Sequence, residues 1–162
     1  MRQKYIIFIC VGFALLLGLA WEVYPRLFGG TRVNMSLEKL TWKDLAQLDI
    51  SSSEMPQSLA KHIGNQVLIA GFIVPLDDNA MILSDFLLVP NALACIHAPP
   101  PAMNQMILVH MTNPVENDFA RRPVWVEGVI RTTSAKHGFG ESSFSMDAVA
   151  IDFVRPRDLE DL

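Results

Sequence analysis

The first apolar stretch of the chain, residues 5–23, contains one charged residue, Glu22. Arg2 and Lys4 come before it, and positive charges of this kind keep the leading end of an apolar segment in the cytoplasm. A span needs about 20 apolar residues, so the stretch predicts a transmembrane helix that anchors the chain. Cleavage after the small residues at 18–20 is the alternative, and it would release the domain. In either case the rest of the chain is predicted to lie outside the cytoplasm.

Five later stretches have the hydrophobic pattern of β-strands. The first is apolar at nearly every position, as expected of a strand covered on both faces. The fourth alternates, with Val124 and Val126 on one face and Trp125 and Glu127 on the other. No helical pattern of useful length separates the stretches, which argues against parallel βαβ units. The predicted strands are residues 66–74, 86–89, 105–111, 123–130 and 144–154.

The pattern predicts a mainly β fold with one short helix before the strands. Thr41, followed three residues later by Asp44, has the spacing of a helix-capping box. Gly71 and Gly128 fall inside the first and fourth strands, where a glycine often marks a bulge or a bend. Such bends favour a small five-stranded Greek-key barrel of the OB type. An open sheet packed by the helix of Trp42 is the alternative.

The same pattern divides the chain into four parts. Residues 1–24 are the predicted signal anchor or transmembrane segment, and 25–39 are a linker that begins at Pro25 and contains two glycines. Residues 40–156 form the predicted OB-like domain, and 157–162 are a polar tail.

Charge narrows the possible partners. The chain has 13 Lys and Arg residues against 17 Asp and Glu residues, a net charge of −4. Two of the cations precede the apolar stretch, so the remainder is more acidic still. Because an acidic domain repels phosphate, nucleic acid is not an expected partner.

The candidate chemistry lies in a proline-rich loop between the second and third strands. Pro99, Pro100 and Pro101 fix their backbone φ angles and supply no N–H donors, so the loop is predicted to be stiff and is a candidate binding element. In an extended chain, Cys95 and His97 project to the same side. A thiolate and an imidazole together suit zinc or copper.

Two ligands do not complete a zinc site, which needs three or four. His110, His137, Asp147 and Met103 are the candidate additional ligands, and a thioether would favour Cu⁺. Cys95 is the one cysteine outside the apolar stretch, so no disulfide within the domain can protect it. A buried structural thiol and a reactive thiol are the alternatives to a metal ligand.

Several segments together resemble a bacterial family of small exported or lipoprotein-like proteins that is classed as a domain of unknown function. They are residues 40–45, 67–76, 86–90, 94–101 with 104–105, and 123–128. The Cys-Ile-His-x-Pro-Pro-Pro block is the most specific of them. The resemblance implies no settled activity, and it suggests an accessory role beside ABC-type export or metal-uptake systems. This chain departs from the family pattern at Ala98 and at Ala102–Met103, where the family commonly has more prolines.

Together these observations predict a membrane-tethered accessory or binding module in the periplasm that binds zinc or copper and assists a membrane transporter. The chain would cross the bacterial inner membrane once, with its N-terminus in the cytoplasm. Secretion into the periplasm after signal cleavage is the other possible location. A structural domain of an envelope complex is the alternative function, and a thiol-dependent enzyme is a third and less favoured one.

Overall fold

The computed structural model describes residues 32–51, 55–77, 79–91, 101–119 and 122–161. The described residues form mainly β structure. The strands are β1 (Gln66–Pro75), β2 (Ile82–Val89), β3 (Ile107–Glu116), β4 (Val124–His137) and β5 (Gly140–Phe153). The helices are α1 (Trp42–Leu45), α2 (Gln57–Ala60) and two short 3-10 helices, Met103–Gln105 and Pro156–Asp161.

Hydrogen bonding between the strands runs in a ring. The strand order is β1-β2-β3-β5-β4, and β4 pairs again with β1. Four of the pairings are antiparallel, whereas β3 and β5 run parallel, with Ile107 opposite Phe144. The prediction of a mainly β domain built on five strands and few helices is therefore confirmed. The sheet is a mixed one.

The apolar core lies on one face of this ring. Along β1, Val67, Ile69 and Ile73 belong to the main core cluster, as the two-residue period of a strand requires. The intervening residues Leu68 and Ala70 pack on the other face, against Trp125 and other apolar side chains. Both faces of β1 are therefore covered, which explains its nearly continuous apolar sequence.

Two glycines allow strands to approach closely. A Cβ atom on Gly71 would lie 2.8 Å from the carbonyl oxygen of Val89. At Gly128 it would lie 2.8 Å from the Cα of Ala148, and the register of β4 against β5 shifts at this position. Both glycines thus occur where the ring leaves no room for a side chain, and Gly128 marks a bulge.

Helix α1 begins with the predicted capping box. The Thr41 hydroxyl accepts a hydrogen bond from Asp44 N, and the Asp44 carboxylate accepts one from Thr41 N. Burial raises the pKa of Asp44, but the hydrogen bonds from Thr41 outweigh it, so this pKa lies below its usual value. The cap fixes the helix so that Trp42 and Leu45 are buried in the core.

The segment before α1 covers part of the exposed edge of β1. Leu68 N donates to Glu38 O at 3.1 Å, and Leu40 N donates to Leu68 O at 2.9 Å. Two residues further along β1, the indole Nε1 of Trp42 donates to Ala70 O at 2.6 Å. These bonds satisfy backbone groups that a strand edge would otherwise leave unpaired. Residues assigned to the linker from sequence therefore contact the sheet.

The prediction of a membrane segment concerns residues that the structure does not describe. The predicted membrane segment 5–23 lies outside the described residues. Within the described ranges, no helix is long and apolar enough to cross a bilayer.

Candidate functional site

The predicted site lies in the connection between β2 and β3. Cys95, His97, Pro99 and Pro100 are outside the described residues, whereas Pro101 is described and partly exposed. The structure therefore defines how this connection leaves the sheet and how it returns. These two stems are the described part of the candidate site.

The first stem is the end of β2. Val89 pairs with Phe72 of β1, and Leu88 pairs with Ile107 of β3. Val89 and Leu88 are at most 2 % exposed. A strand end that is paired on both sides and buried is a firm point of departure for the connection.

The second stem is held by two side-chain amides. Asn104 Nδ2 donates to Leu48 O at 3.0 Å and to Ala46 O at 3.3 Å. Gln105 Nε2 donates to Trp42 O at 3.2 Å. Ala46 O and Leu48 O follow α1, where carbonyls lack partners within the helix, and the Asn104 amide supplies one. Trp42 O already accepts from Ala46 N, so the Gln105 amide adds a second bond to it. The connection is thereby tied to the helix as it re-enters the sheet.

Met103 lies in the 3-10 helix between Pro101 and this stem, and its side chain is partly buried. It is two residues from the proline run. Of the four additional ligand candidates, Met103 is therefore the nearest in sequence to Cys95 and His97.

His137 lies at the end of β4, in the hairpin with β5. Phe139 N donates to His137 Nδ1 at 3.3 Å, so Nδ1 is an acceptor and the neutral ring carries its proton on Nε2. Burial lowers the pKa of His137, which favours this neutral form. A protonated Nε2 has no lone pair for a metal, and the Nδ1 lone pair accepts from Phe139 N, so His137 would have to change tautomer or give up this hydrogen bond to become a ligand.

His110 has the opposite arrangement. Its Nδ1 is hydrogen-bonded to the Asp85 carboxylate, an acceptor, so in the neutral ring Nδ1 carries the proton and Nε2 has a lone pair. A carboxylate on the far nitrogen is how metal-binding histidines are usually oriented. His110 is half exposed and sits opposite Asp147 in the β3–β5 pairing. Asp147, however, forms an ion pair with Arg131.

The structure thus separates the predicted ligands. His110 and Asp147 are neighbours on β3 and β5, Met103 is beside the second stem, and His137 is at the hairpin turn. Within the described residues, no three His, Cys, Asp or Glu side chains are grouped closely enough to hold a metal ion.

Sequence reasoning missed the four buried polar or charged side chains of the described residues, which are Glu127, His62, Ser142 and Ser143. Glu127 is 7 % exposed and accepts hydrogen bonds from Asn34 N and Gln66 Nε2, both at 2.6 Å. His62 and Ser142 are also buried, and His62 Nδ1 and Ser142 Oγ have no hydrogen-bond partner. The alternating pattern of β4 placed Glu127 beside Trp125 on one face, but nothing in it showed that the N-terminal segment covers that face.

The fold defines the class of the protein: a small, mainly β domain with five strands in a hydrogen-bonded ring, from which the two described stems of the β2–β3 connection leave and return. Residues 32–153 match the family model described as "Protein of unknown function (DUF3299)". The chain therefore belongs to the DUF3299 family. No curated protein matches the sequence.

One solved structure agrees with this assignment. The crystal structure of a DUF3299 family protein from Pseudomonas aeruginosa PAO1 is 26 % identical with a TM-score of 0.60, covering 74 % of this chain and 97 % of that one. A putative aspartyl-tRNA synthetase from Leishmania major Friedlin is 12 % identical with a TM-score of 0.45, covering 85 % of this chain and 25 % of that one. A TM-score this low supports no inference about function.

Proposed function

We propose that this protein is a non-enzymatic binding module, tethered by its N-terminal segment to the periplasmic face of a bacterial inner membrane. Its ligand is a transition metal, zinc or copper, held by the β2–β3 connection through Cys95 and His97. Its role is to assist a membrane transporter. The basic residues before the apolar stretch and the resemblance to exported proteins support the location.

For the fold, we propose a small Greek-key barrel of the OB type. The ring order β1-β2-β3-β5-β4 and the parallel β3–β5 pairing support it. So do the glycines, because Gly71 and Gly128 lie where strands approach closely and Gly128 marks a bulge. This architecture has a closed set of strands from which loops project, and loops on a rigid scaffold commonly carry binding residues.

The observation that carries the proposal is the fixed base of the β2–β3 connection. A loop that binds a ligand loses less conformational entropy if its ends are already held in place. Here Val89 is buried and paired at one end, and the amides of Asn104 and Gln105 bind the α1 region at the other. Holding the connection at both ends in this way supports a role in presenting its side chains.

Met103 and His110 are the described residues whose chemistry fits this metal. A thioether beside a Cys-x-His pair suits Cu⁺, and Met103 lies two residues after Pro101, the last residue of the proline run. In its neutral form, His110 offers an Nε2 lone pair. It lies three residues after Ile107, the first residue of β3, which places it about 10 Å along the strand. We therefore favour Cu⁺ bound by Cys95, His97 and Met103.

The test is metal binding to the full chain in detergent, after reduction and reconstitution with Cu⁺ or Zn²⁺. The proposal expects one metal per chain, lost in Cys95→Ser and in His97→Ala. Cys10→Ser, which removes the other cysteine, is the matched control and should bind as the wild type does. A wild-type protein that retains neither metal, or a Cys95→Ser variant that still binds one equivalent, would refute the metal site.

A second pair of variants tests the fixed base. Asn104→Ala should weaken metal affinity by about tenfold, since the second stem is no longer held and about 1.4 kcal/mol of preorganisation is lost. Asn65→Ala removes a similar amide bond, from Asn65 Nδ2 to Lys61 O, away from the stems. It should leave the affinity unchanged. Equal weakening by both variants would mean that general stability, and not the stem, controls binding.

A structural role for the connection is the second candidate. Val89 and Met106, which flank the connection, are both 2 % exposed, and they belong to one apolar cluster on the outer face of the sheet. If the connection merely covers this cluster, Cys95→Ala lowers stability by about 1–3 kcal/mol and leaves metal content unchanged. The metal measurement above therefore separates the two roles.

A further inference from the structure

The turn between β1 and β2 exposes three large apolar side chains. Met81 is 85 % exposed, Ile82 is 61 % exposed and Leu76 is 38 % exposed. We call these three residues the apolar tip. Single exposed apolar residues are common on proteins, whereas a group of them in one turn is typical of a contact surface.

The turn that carries the apolar tip is held in place. Asn117, just after β3, donates from its backbone N to Met81 O at 3.0 Å and from Nδ2 to Ala80 O at 2.8 Å. At the start of β2, Ile82 pairs with Glu116. The apolar side chains therefore project from a backbone that is already ordered, which lowers the entropic cost of binding a partner.

Acidic residues surround the tip. The turn contributes Asp77, and the adjoining end of β3 contributes Glu116 and Asp118, and all three are exposed. In the sequence, residues 75–84 and 112–119 contain four acidic residues and no Lys, Arg or His. Their combined charge of −4 equals the net charge of the whole chain.

We infer that the apolar tip and its acidic surroundings form a docking surface for a partner protein, one that presents an apolar patch bordered by Lys and Arg. Charge complementarity favours this partner over a second copy of the chain and over an anionic lipid surface. A second copy would bring a second acidic tip and be repelled. Anionic lipid headgroups are repelled for the same reason.

The experiment uses the full chain in zwitterionic lipid nanodiscs and a short amphipathic helical peptide of Leu and Lys as the probe. The peptide should bind, and binding should weaken as salt is added.

Met81→Ser with Ile82→Ser should weaken peptide binding by about tenfold or more, because most of the exposed apolar area is lost. Glu116→Gln with Asp118→Asn should weaken it and reduce the salt dependence. Phe139→Ser is the matched control, since Phe139 is also 38 % exposed, in another hairpin, and should bind as the wild type does.

Several results would overturn the inference. One is an unchanged affinity in the Met81 and Ile82 double variant, and another is an equal loss in Phe139→Ser. Equal binding of a Leu and Glu peptide would remove the argument from charge. A dimer that dissociates in the double variant would make the surface a self-contact. Protection of Met81 from peroxide by anionic nanodiscs alone would make lipid the occupant.

Discussion

The hydrogen bond from Trp42 to the edge of β1 makes a specific prediction about stability. The indole Nε1 of Trp42 lies 2.6 Å from Ala70 O, in a buried position. Trp42→Phe keeps an aromatic ring in the core but removes the N–H group. Ala70 O then faces a side chain that cannot donate, on the side of β1 away from β4. The variant should therefore lose more stability than the change in ring size alone explains.

The structure contains a matched control for this change. Trp125 is 2 % exposed, and its Nε1 is buried without a hydrogen-bond partner. Trp125→Phe thus loses packing energy but leaves no acceptor unpaired. Trp42→Phe loses packing energy and also leaves the Ala70 carbonyl without its hydrogen bond. A buried polar group left without its partner costs about 1–3 kcal/mol. The free energy of unfolding should fall by about that much more in Trp42→Phe than in Trp125→Phe.

Urea unfolding followed by far-UV circular dichroism measures this difference, because the signal does not depend on either indole. With a slope of about 1–3 kcal/mol per molar urea, the two midpoints should differ by roughly 1 M at unchanged slope. Equal midpoints, or a lower midpoint for Trp125→Phe, would refute the claim that the Trp42 indole supports the edge of β1. A changed slope would indicate that unfolding is no longer a two-state transition.

Three further predictions follow from the fold. Thr41→Ala should lower the free energy of unfolding by about 0.5–2 kcal/mol because the cap of α1 is lost, while Thr41→Ser should restore it. Gly128→Ala should lower the melting temperature strongly, because its Cβ meets backbone atoms of β5, whereas Gly138→Ala points into open space and should be tolerated. Burial lowers the pKa of His137, so the folded state favours the neutral imidazole. The stability that this provides is present above about pH 6.5 and is lost as pH falls through the folded pKa, because the unfolded state takes up the proton first. His137→Gln should flatten that part of the melting temperature's pH dependence, and an unchanged profile would contradict the burial argument.

The strands that were predicted well are those with apolar residues facing the core. β1 was predicted to within one residue at its end, because nearly all its positions are apolar. The prediction missed residues 131–137 of β4 and residues 140–143 of β5. Residues 131–143 form a hairpin that is largely polar, so neither face carries the alternation that reveals a half-buried strand. In the structure this hairpin is paired up to its turn, where His137 lies opposite Gly140.

The candidate site was predictable in its residue types but not in its geometry. The sequence singled out His110, His137 and Asp147 as equivalent ligand candidates. Their separation depends on strand order and register, because His110 and Asp147 become neighbours through the parallel β3–β5 pairing. The tautomer of His110 depends on a long-range contact too, since Asp85 comes from β2. The tautomer of His137 depends on a hydrogen bond from Phe139 N, two residues later, which forms only because the hairpin turns there. A linear pattern of residues contains none of this information.

The two proposed surfaces lie at opposite ends of β2. The apolar tip is at its start, beside Ile82, and the β2–β3 connection leaves from its end, after Val89. Eight residues of strand place these ends about 25 Å apart, with β3 paired along most of the strand and β1 paired with its last four residues. A metal held by the connection and a partner at the tip should therefore bind independently, because a paired strand separates the tip from the point where the connection begins. Peptide affinity measured with and without Cu⁺ tests this, and a difference of tenfold or more would require a conformational change that links the two ends.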